Sequence, residues 1–190
     1  MTQNAATETG DAGDVIEFLL AQHRQISTLL EKVLATTGDE RQRYFQDVRG
    51  LLARHETAEE MIVRPLTRKA PQGDEVAEGR TAEEDHAKEV LGRLEKMPVD
   101  TPEFTAAFTQ FRQRVLAHAD AEETLEFPLL RQTNDHDALL QARSAVERAE
   151  QMDPTHAQPG ATPSAADDVP GPFTALLDRA RKAFSGKADS

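Results

Sequence analysis

The chain has 190 residues, a formal net charge of −12 and no cysteine. Its length fits one domain with a tail. The negative charge argues against nucleic acid as a partner, and the lack of cysteine excludes disulfides and thiolate ligands. The polar N-terminus has no signal-peptide pattern, and no apolar run approaches the roughly 18 residues of a membrane span. We therefore expect a cytoplasmic protein with no integral membrane association, either a monomer or a homodimer.

Helical periodicity begins after a polar N-terminus. Residues 1–13 are predicted to be disordered, and Asp14 is a plausible N-cap for a first helix that ends near Ala35. A turn at 36–39 precedes a second helix, which is expected to bend or end near Pro65. A third helix covers about 75–97, and prolines at its end separate it from a fourth.

The C-terminal part of the chain is predicted to contain a fifth helix, a linker and a short tail helix. A fifth helix is predicted to run to about residue 152, so the bundle with this helix spans 14–152. Residues 153–172 form a proline-rich linker. A short amphipathic helix at 173–186 follows, which we expect to dock on its own or a neighbouring bundle or to fray in water, with binding to a membrane surface or a partner as the alternative.

The chain contains an internal duplication with an offset of 63 residues, which maps His23 to His86. In both halves, the next histidine of the repeat follows 32 residues later. Nine identities fall between positions 45 and 68, where about one or two are expected by chance. They are Phe45, Arg49, His55, Ala58, Glu59, Glu60, Pro65, Leu66 and Arg68.

Each half places a glutamate four residues after a histidine: Glu59 after His55, and Glu122 after His118. Positions i and i+4 share a helix face, so the imidazole and the carboxylate point to one spot, which suits iron, zinc or manganese. One such pair is common on a solvated face, but burying a repeated set without a cation would be unfavourable. The predicted metal ligands are His23, His55, Glu59, His86, His118 and Glu122.

The turn signals fit one metal layer inside a bundle. The midpoints between successive predicted ligands fall at Asp39, between Gln72 and Gly73, and at Pro102, and each lies at a turn signal. Every residue of a helix rises by about 1.5 Å, and each turn lies halfway between two ligands. The helical segments on either side of a turn therefore have equal length, which brings the ligands to one level in the bundle. The sequence therefore predicts an all-α fold, an antiparallel up-down-up-down four-helix bundle with an extra C-terminal helix and a flexible tail.

These motifs resemble the hemerythrin-like (HHE) family, whose four-helix bundles hold a non-haem di-iron centre. The resemblance covers about residues 14–131, and the longer C-terminus is similar to a subgroup found in actinobacteria. It implies two iron ions with an oxo or hydroxo bridge. The matching positions are His23 on the first helix, His55 and Glu59 on the second, His86 on the third, and His118 and Glu122 on the fourth.

The chain departs from the oxygen-carrying members of that family. Those have a second histidine one turn away on the third helix, where this chain has Ala82 or Val90. Their second bridge is an aspartate five residues after the last histidine, whereas Glu122 follows His118 by four. Glu56, which the duplication does not repeat, is a candidate replacement ligand, with a solvated glutamate as the alternative.

The resemblance implies binding or sensing of a small oxidant, namely O₂, NO or peroxide. One alternative is an enzyme with catalase-like or NO-reducing activity. The other is an iron or zinc buffer without redox turnover. The ligand types alone do not separate iron from zinc.

Overall fold

The computed structural model describes residues 13–152 and 173–185, and within these ranges every regular element is helical. The predicted all-α bundle is confirmed. Apart from residue 13, the predicted disordered N-terminus lies outside the described residues, as does the predicted linker. Across the same ranges, no helix has the length and apolarity needed to cross a membrane. The helices are α1 (Val15–Ala35), α2 (Gly38–Ala58, a π turn Glu59–Val63 and Arg64–Thr67), α3 (Gly73–Leu94), α4 (Pro102–Ala121, a π turn Glu122–Glu126 and Phe127–Thr133), α5 (His136–Met152) and α6 (Phe173–Phe184).

The predicted cap at the start of α1 is confirmed. Asp14 Oδ1 accepts a hydrogen bond of 2.9 Å from the backbone N–H of Ile16, which satisfies a donor at the helix end. At the start of α2, Gly38 adopts a positive φ of 60°, which a glycine tolerates without strain. The Asp100 carboxylate accepts from the Gly38 N–H, so the α1–α2 turn is fastened to the α3–α4 loop.

Two apolar cores lie at opposite ends of the bundle. One is rich in aromatic side chains, including Phe45, Phe104, Phe108 and Phe111; the other contains Ile16, Leu19, Phe127 and Leu130. His23 lies on α1 between Leu19 of one core and Ile26 of the other. The polar layer that includes His23 is therefore enclosed by apolar side chains on both sides.

Both long ligand-bearing helices widen into a π turn, at Glu59–Val63 in α2 and at Glu122–Glu126 in α4. In each, a backbone N–H bonds to the carbonyl five residues earlier, from Arg64 to Glu59 and from Phe127 to Glu122. In both helices a proline is the second residue after the π turn, and a proline ring clashes with the carbonyl four residues before it in a regular α-helix. The wider turn accommodates that ring, so α2 continues past Pro65 to Thr67.

Helix α6 docks on the bundle and contributes Phe173, Leu176 and Leu177 to the aromatic core. Its first backbone N–H donates to Glu95 Oε1 at 2.6 Å, and the same oxygen is 2.6 Å from Arg49 Nη2. At its other end, Arg181 Nη2 contacts Glu60 Oε2 at 2.8 Å. The amphipathic segment therefore packs on its own bundle.

Candidate metal centre

The first ligand set joins three helices in the layer between the two cores. It consists of His23, His55, Glu59 and Glu122, all buried, with one ligand atom from each within 4.8 Å of the others. The two imidazole Nε2 atoms are 3.1 Å apart. Glu59 Oε1 is 3.4 Å from His55 Nε2, and Glu122 Oε2 is 3.3 Å from His23 Nε2. Two nitrogen and two oxygen donors thus converge on one point.

A second set of four adjoins the first and shares both glutamates with it. It consists of Glu59, Glu84, His118 and Glu122, and their ligand atoms also lie within 4.8 Å of one another. His118 Nε2 is 3.2 Å from Glu122 Oε1, the oxygen turned away from His23. Two adjacent sets with two common carboxylates have the arrangement that carboxylate-bridged metal pairs require.

Hydrogen bonds at the outer nitrogens orient all three buried or half-buried histidines. His23 Nδ1 is 2.8 Å from Glu123 Oε1, and His118 Nδ1 is 2.8 Å from Glu83 Oε2. His55 Nδ1 is 2.9 Å from the side-chain amide oxygen Oε1 of Gln22 on α1. Because each partner is an acceptor, the Nδ1 atom is assigned as the N–H donor, which leaves the Nε2 lone pair free for a cation.

Several polar atoms of the layer are buried without a hydrogen-bond partner. Both carboxylate oxygens of Glu59, Glu122 Oε2 and His118 Nε2 belong to this group. Burial and the adjacent Glu122 charge raise the pKa of Glu59, and burial together with the neighbouring His23 lowers the pKa of His55. Unpaired buried polar atoms are unfavourable, and cations bound at the two ligand sets would satisfy them. The donor set therefore fits a metal.

A cavity of about 360 Å³ reaches this layer from between the helices. Its wall includes His23, His55, Glu56, His86 and His118, with apolar residues of all four bundle helices forming most of the rest. His86 is exposed and belongs to neither ligand set, so the cavity connects the buried imidazoles to the surface. The ligand role of His86 stays a prediction.

Glu56 is buried and faces the same cavity, but it also belongs to neither ligand set. Its Oε2 has no hydrogen-bond partner. Burial, reinforced by the Glu84 charge, raises the pKa of Glu56 to about 8. The ligand role of Glu56 stays a prediction.

A buried arginine completes the layer. Arg64 Nη2 is 2.5 Å from Glu84 Oε1 and 2.7 Å from Glu122 Oε1, and Nη1 is 2.5 Å from Glu126 Oε2. Thr67 donates to the other oxygen of Glu126. Although burial alone would lower the pKa of Arg64, the surrounding carboxylates raise it, so the guanidinium remains charged.

Sequence reasoning did not single out Glu84, Arg64 or Glu126. Under the offset of 63, Arg64 maps to Phe127 and Glu126 maps to Val63. A search for identities passes over these positions. The signal that reveals them is that, at these three positions, the other half of the duplication has an apolar residue in place of the charged one.

The region from 14 to 130 matches the model of the hemerythrin HHE cation-binding domain. The chain belongs to this hemerythrin family. A relative from the fission yeast Schizosaccharomyces pombe, an uncharacterised hemerythrin-like protein, is 31% identical over 133 residues. That alignment spans 68% of this chain and 66% of the relative, just under two thirds of the relative's length. No solved structure matched the chain.

Membership in the hemerythrin family accounts for the buried layer. The family's domain binds metal cations, and the two sets of histidine and glutamate side chains in this chain fit a metal site. Four of the six predicted ligands form the first set, and His118 joins Glu84 in the second.

Proposed function

We propose that this hemerythrin-family protein holds a non-haem di-iron centre that binds or senses a small oxidant, namely O₂, NO or peroxide. Glu59 and Glu122 bridge the two ions. His23 and His55 bind one ion, and His118 binds the other. The observation that carries this proposal is the convergence of unpartnered, buried donor atoms on two adjacent points with two shared carboxylates.

The residues around the site favour a small molecule as the ligand. The cavity wall is mainly apolar, which favours small, weakly hydrated molecules over highly charged ones. When bound, the iron pair would supply reversible redox chemistry and open coordination positions. The protein's own residues hold the imidazoles in one orientation through their Nδ1 atoms, and the two apolar cores border the layer on both sides.

One observation favours turnover of peroxide or NO as a second candidate. Reduction of these molecules consumes protons, and the buried carboxyl group of Glu56, whose pKa is raised in the metal-free chain, lies on the cavity wall. This carboxyl group lines the same cavity as His55 and His118, so it would be a candidate proton donor to a small molecule in that cavity.

The test compares matched histidine variants of the full chain, produced with iron in the growth medium. His55→Ala is expected to lose bound iron at both positions, because the carboxylates Glu59 and Glu122 are shared. His136→Ala is the control, since His136 is exposed at the start of α5. Iron content is measured by elemental analysis, and optical spectra are recorded before and after NO or peroxide. Retention of two tightly bound ions in His55→Ala would contradict the shared-bridge arrangement.

A further inference from the structure

Arg64 lies among the carboxylates of the second ligand set. Its Nη2 atom is 2.5 Å from Glu84 Oε1, 2.7 Å from Glu122 Oε1 and 3.8 Å from Glu59 Oε2. These three glutamates are three of the four members of that set, and the fourth is His118. A positive charge belonging to the chain therefore already faces the donors that a second metal ion would use.

Among residues 13–152 and 173–185, no cation occupies the corresponding place in the first ligand set. The two bridging glutamates each turn one oxygen to the first set and the other to Arg64. For Glu59 these are Oε1 toward His55 and Oε2 toward Arg64. For Glu122 they are Oε2 toward His23 and Oε1 toward Arg64. An ion can therefore bind between the two histidines while the guanidinium stays where it is.

Only one half of the duplication has a guanidinium at this position. The counterpart of Arg64 is Phe127, whose ring stacks on His23 with centroids 5.7 Å apart. Glu126, which anchors Nη1, replaces the apolar Val63. The two halves thus present an uncharged wall to the first metal position and a guanidinium to the second.

We propose that Arg64 is a resident cation at the second metal position, so that the two ions load in a fixed order. The first ion binds His23, His55 and the two bridging glutamates without moving Arg64. The second ion displaces the guanidinium from Glu84 and Glu122, and Glu84 then serves as its ligand. This inference rests on the proposed metal centre.

A second cavity next to Arg64 provides space for its displaced side chain. It has a volume of about 330 Å³, and both Arg64 and Glu84 line it from the inner side. Glu60 and Asp85 line it as well, but they are already paired with Arg181 and Lys88, so a displaced guanidinium would have to share them. Glu126, which contacts Nη1 and belongs to neither ligand set, would remain a charged partner of Arg64 after the displacement.

The experiment titrates chelator-treated full-length protein with Zn²⁺ in a calorimeter and counts bound zinc after gel filtration. Zinc accepts the same nitrogen and oxygen donors and has no redox chemistry to complicate the measurement. The wild type is expected to bind one ion tightly and a second ion at least about tenfold more weakly, since the second must break charge-assisted hydrogen bonds. Arg64→Met is expected to strengthen the second step by about tenfold or more, with less than about a threefold change in the first.

Arg49→Met is the matched control. Arg49 is also buried on α2 and paired with a glutamate, but it lies about 22 Å along the helix from Arg64 at 1.5 Å per residue. We expect this variant to retain the two unequal steps of the wild type. If Arg64→Met does not fold without metal, Glu84→Gln provides the second test, because it keeps Arg64 paired with Glu122 and Glu126. It is expected to lose the second step and keep the first.

The outcomes separate the inference from the proposed function. Two equal steps in the wild type that Arg64→Met leaves unchanged would overturn the inference while the metal centre stands. Weakening of both steps by Arg64→Met would also overturn it, because Arg64 would then be a support for the site. A second step that survives in Glu84→Gln would have the same consequence. No zinc bound to the wild type or to any variant would contradict the metal centre itself.

Discussion

Raising the pH from 7 to 9 is expected to destabilise the metal-free protein because two buried groups hold protons that the unfolded chain releases. Although burial alone would lower the pKa of His118, contacts with Glu122 and Glu83 outweigh it and raise the pKa to about 9. The pKa of Glu56 is raised to about 8. Both folded-state pKa values exceed the ordinary ones, so their contribution is present at lower pH and is lost as the pH rises through 8 and 9.

The magnitude follows from the size of these shifts. One pKa unit corresponds to about 1.4 kcal/mol, so the two groups together remove on the order of 3 kcal/mol of unfolding free energy between pH 7 and 9. For a chain of this length, this lowers the melting temperature by roughly 6–12 °C. The lower limit is placed at pH 7 because the pKa of His55 is shifted below its ordinary value, and its opposite effect appears only at lower pH.

The assay is urea unfolding at pH 7, 8 and 9 in the presence of a chelator, followed by circular dichroism. His118→Gln is expected to flatten the pH dependence, since it removes the larger of the two contributions. His136→Gln, which changes an exposed histidine on α5, is expected to retain the wild-type slope. Stability that stays constant or increases from pH 7 to 9 in the wild type would refute this reasoning, as would an unchanged slope in His118→Gln.

Four further expectations concern the metal layer and the tail helix. Adding metal at about a hundredfold its dissociation constant is expected to stabilise the folded chain by about 2.7 kcal/mol, and a melting temperature that does not move would count against a buried site. His118→Ala removes a ligand of the second set only, so elemental analysis is expected to show one retained ion in place of two. Glu56→Gln is expected to keep the bound metal but slow the reaction with peroxide in stopped-flow measurements, and an unchanged rate would remove Glu56 from the chemistry. Arg181→Ala removes a half-exposed ion pair with Glu60, so urea unfolding is expected to show a loss of no more than about 1 kcal/mol.

The duplication made much of the layer predictable. Identical spacing in both halves indicated that His23, His55, Glu59 and Glu122 lie at one level, and the structure brings these four together. The same reasoning placed His86 at that level, but level alone does not fix the direction around the helix axis. In the structure His86 is exposed on the cavity wall.

The charges that distinguish the two halves were not predictable from repeated positions. Arg64, Glu84 and Glu126 have no charged counterparts under the offset, and each looks like an ordinary polar residue of a helix. Their burial depends on how α2, α3 and α4 rotate against one another. The π turns contribute to that rotation, and the prolines that accompany them indicated only a bend or an end.

The fold was easier to predict from the sequence than the pattern of buried charges, because the fold depends on apolar periodicity and on turn residues. The cap at Asp14 and the breaks near Gly38 and Pro102 follow from local chemistry. The docking of α6 depends on contacts with Glu95 and with the aromatic core, which are distant in sequence. An amphipathic pattern predicts such a helix but does not identify the surface on which it packs.

The metal content of the purified chain tests the central claim most directly. Wild-type protein from iron-replete cells and the double variant Glu59→Gln/Glu122→Gln should be compared by elemental analysis, with circular dichroism to establish that both are folded. We expect iron in the wild type and almost none in the double variant, because both ligand sets use these two carboxylates. A folded wild type that contains no iron and takes up none when it is supplied, or a double variant with wild-type iron content, would contradict the account.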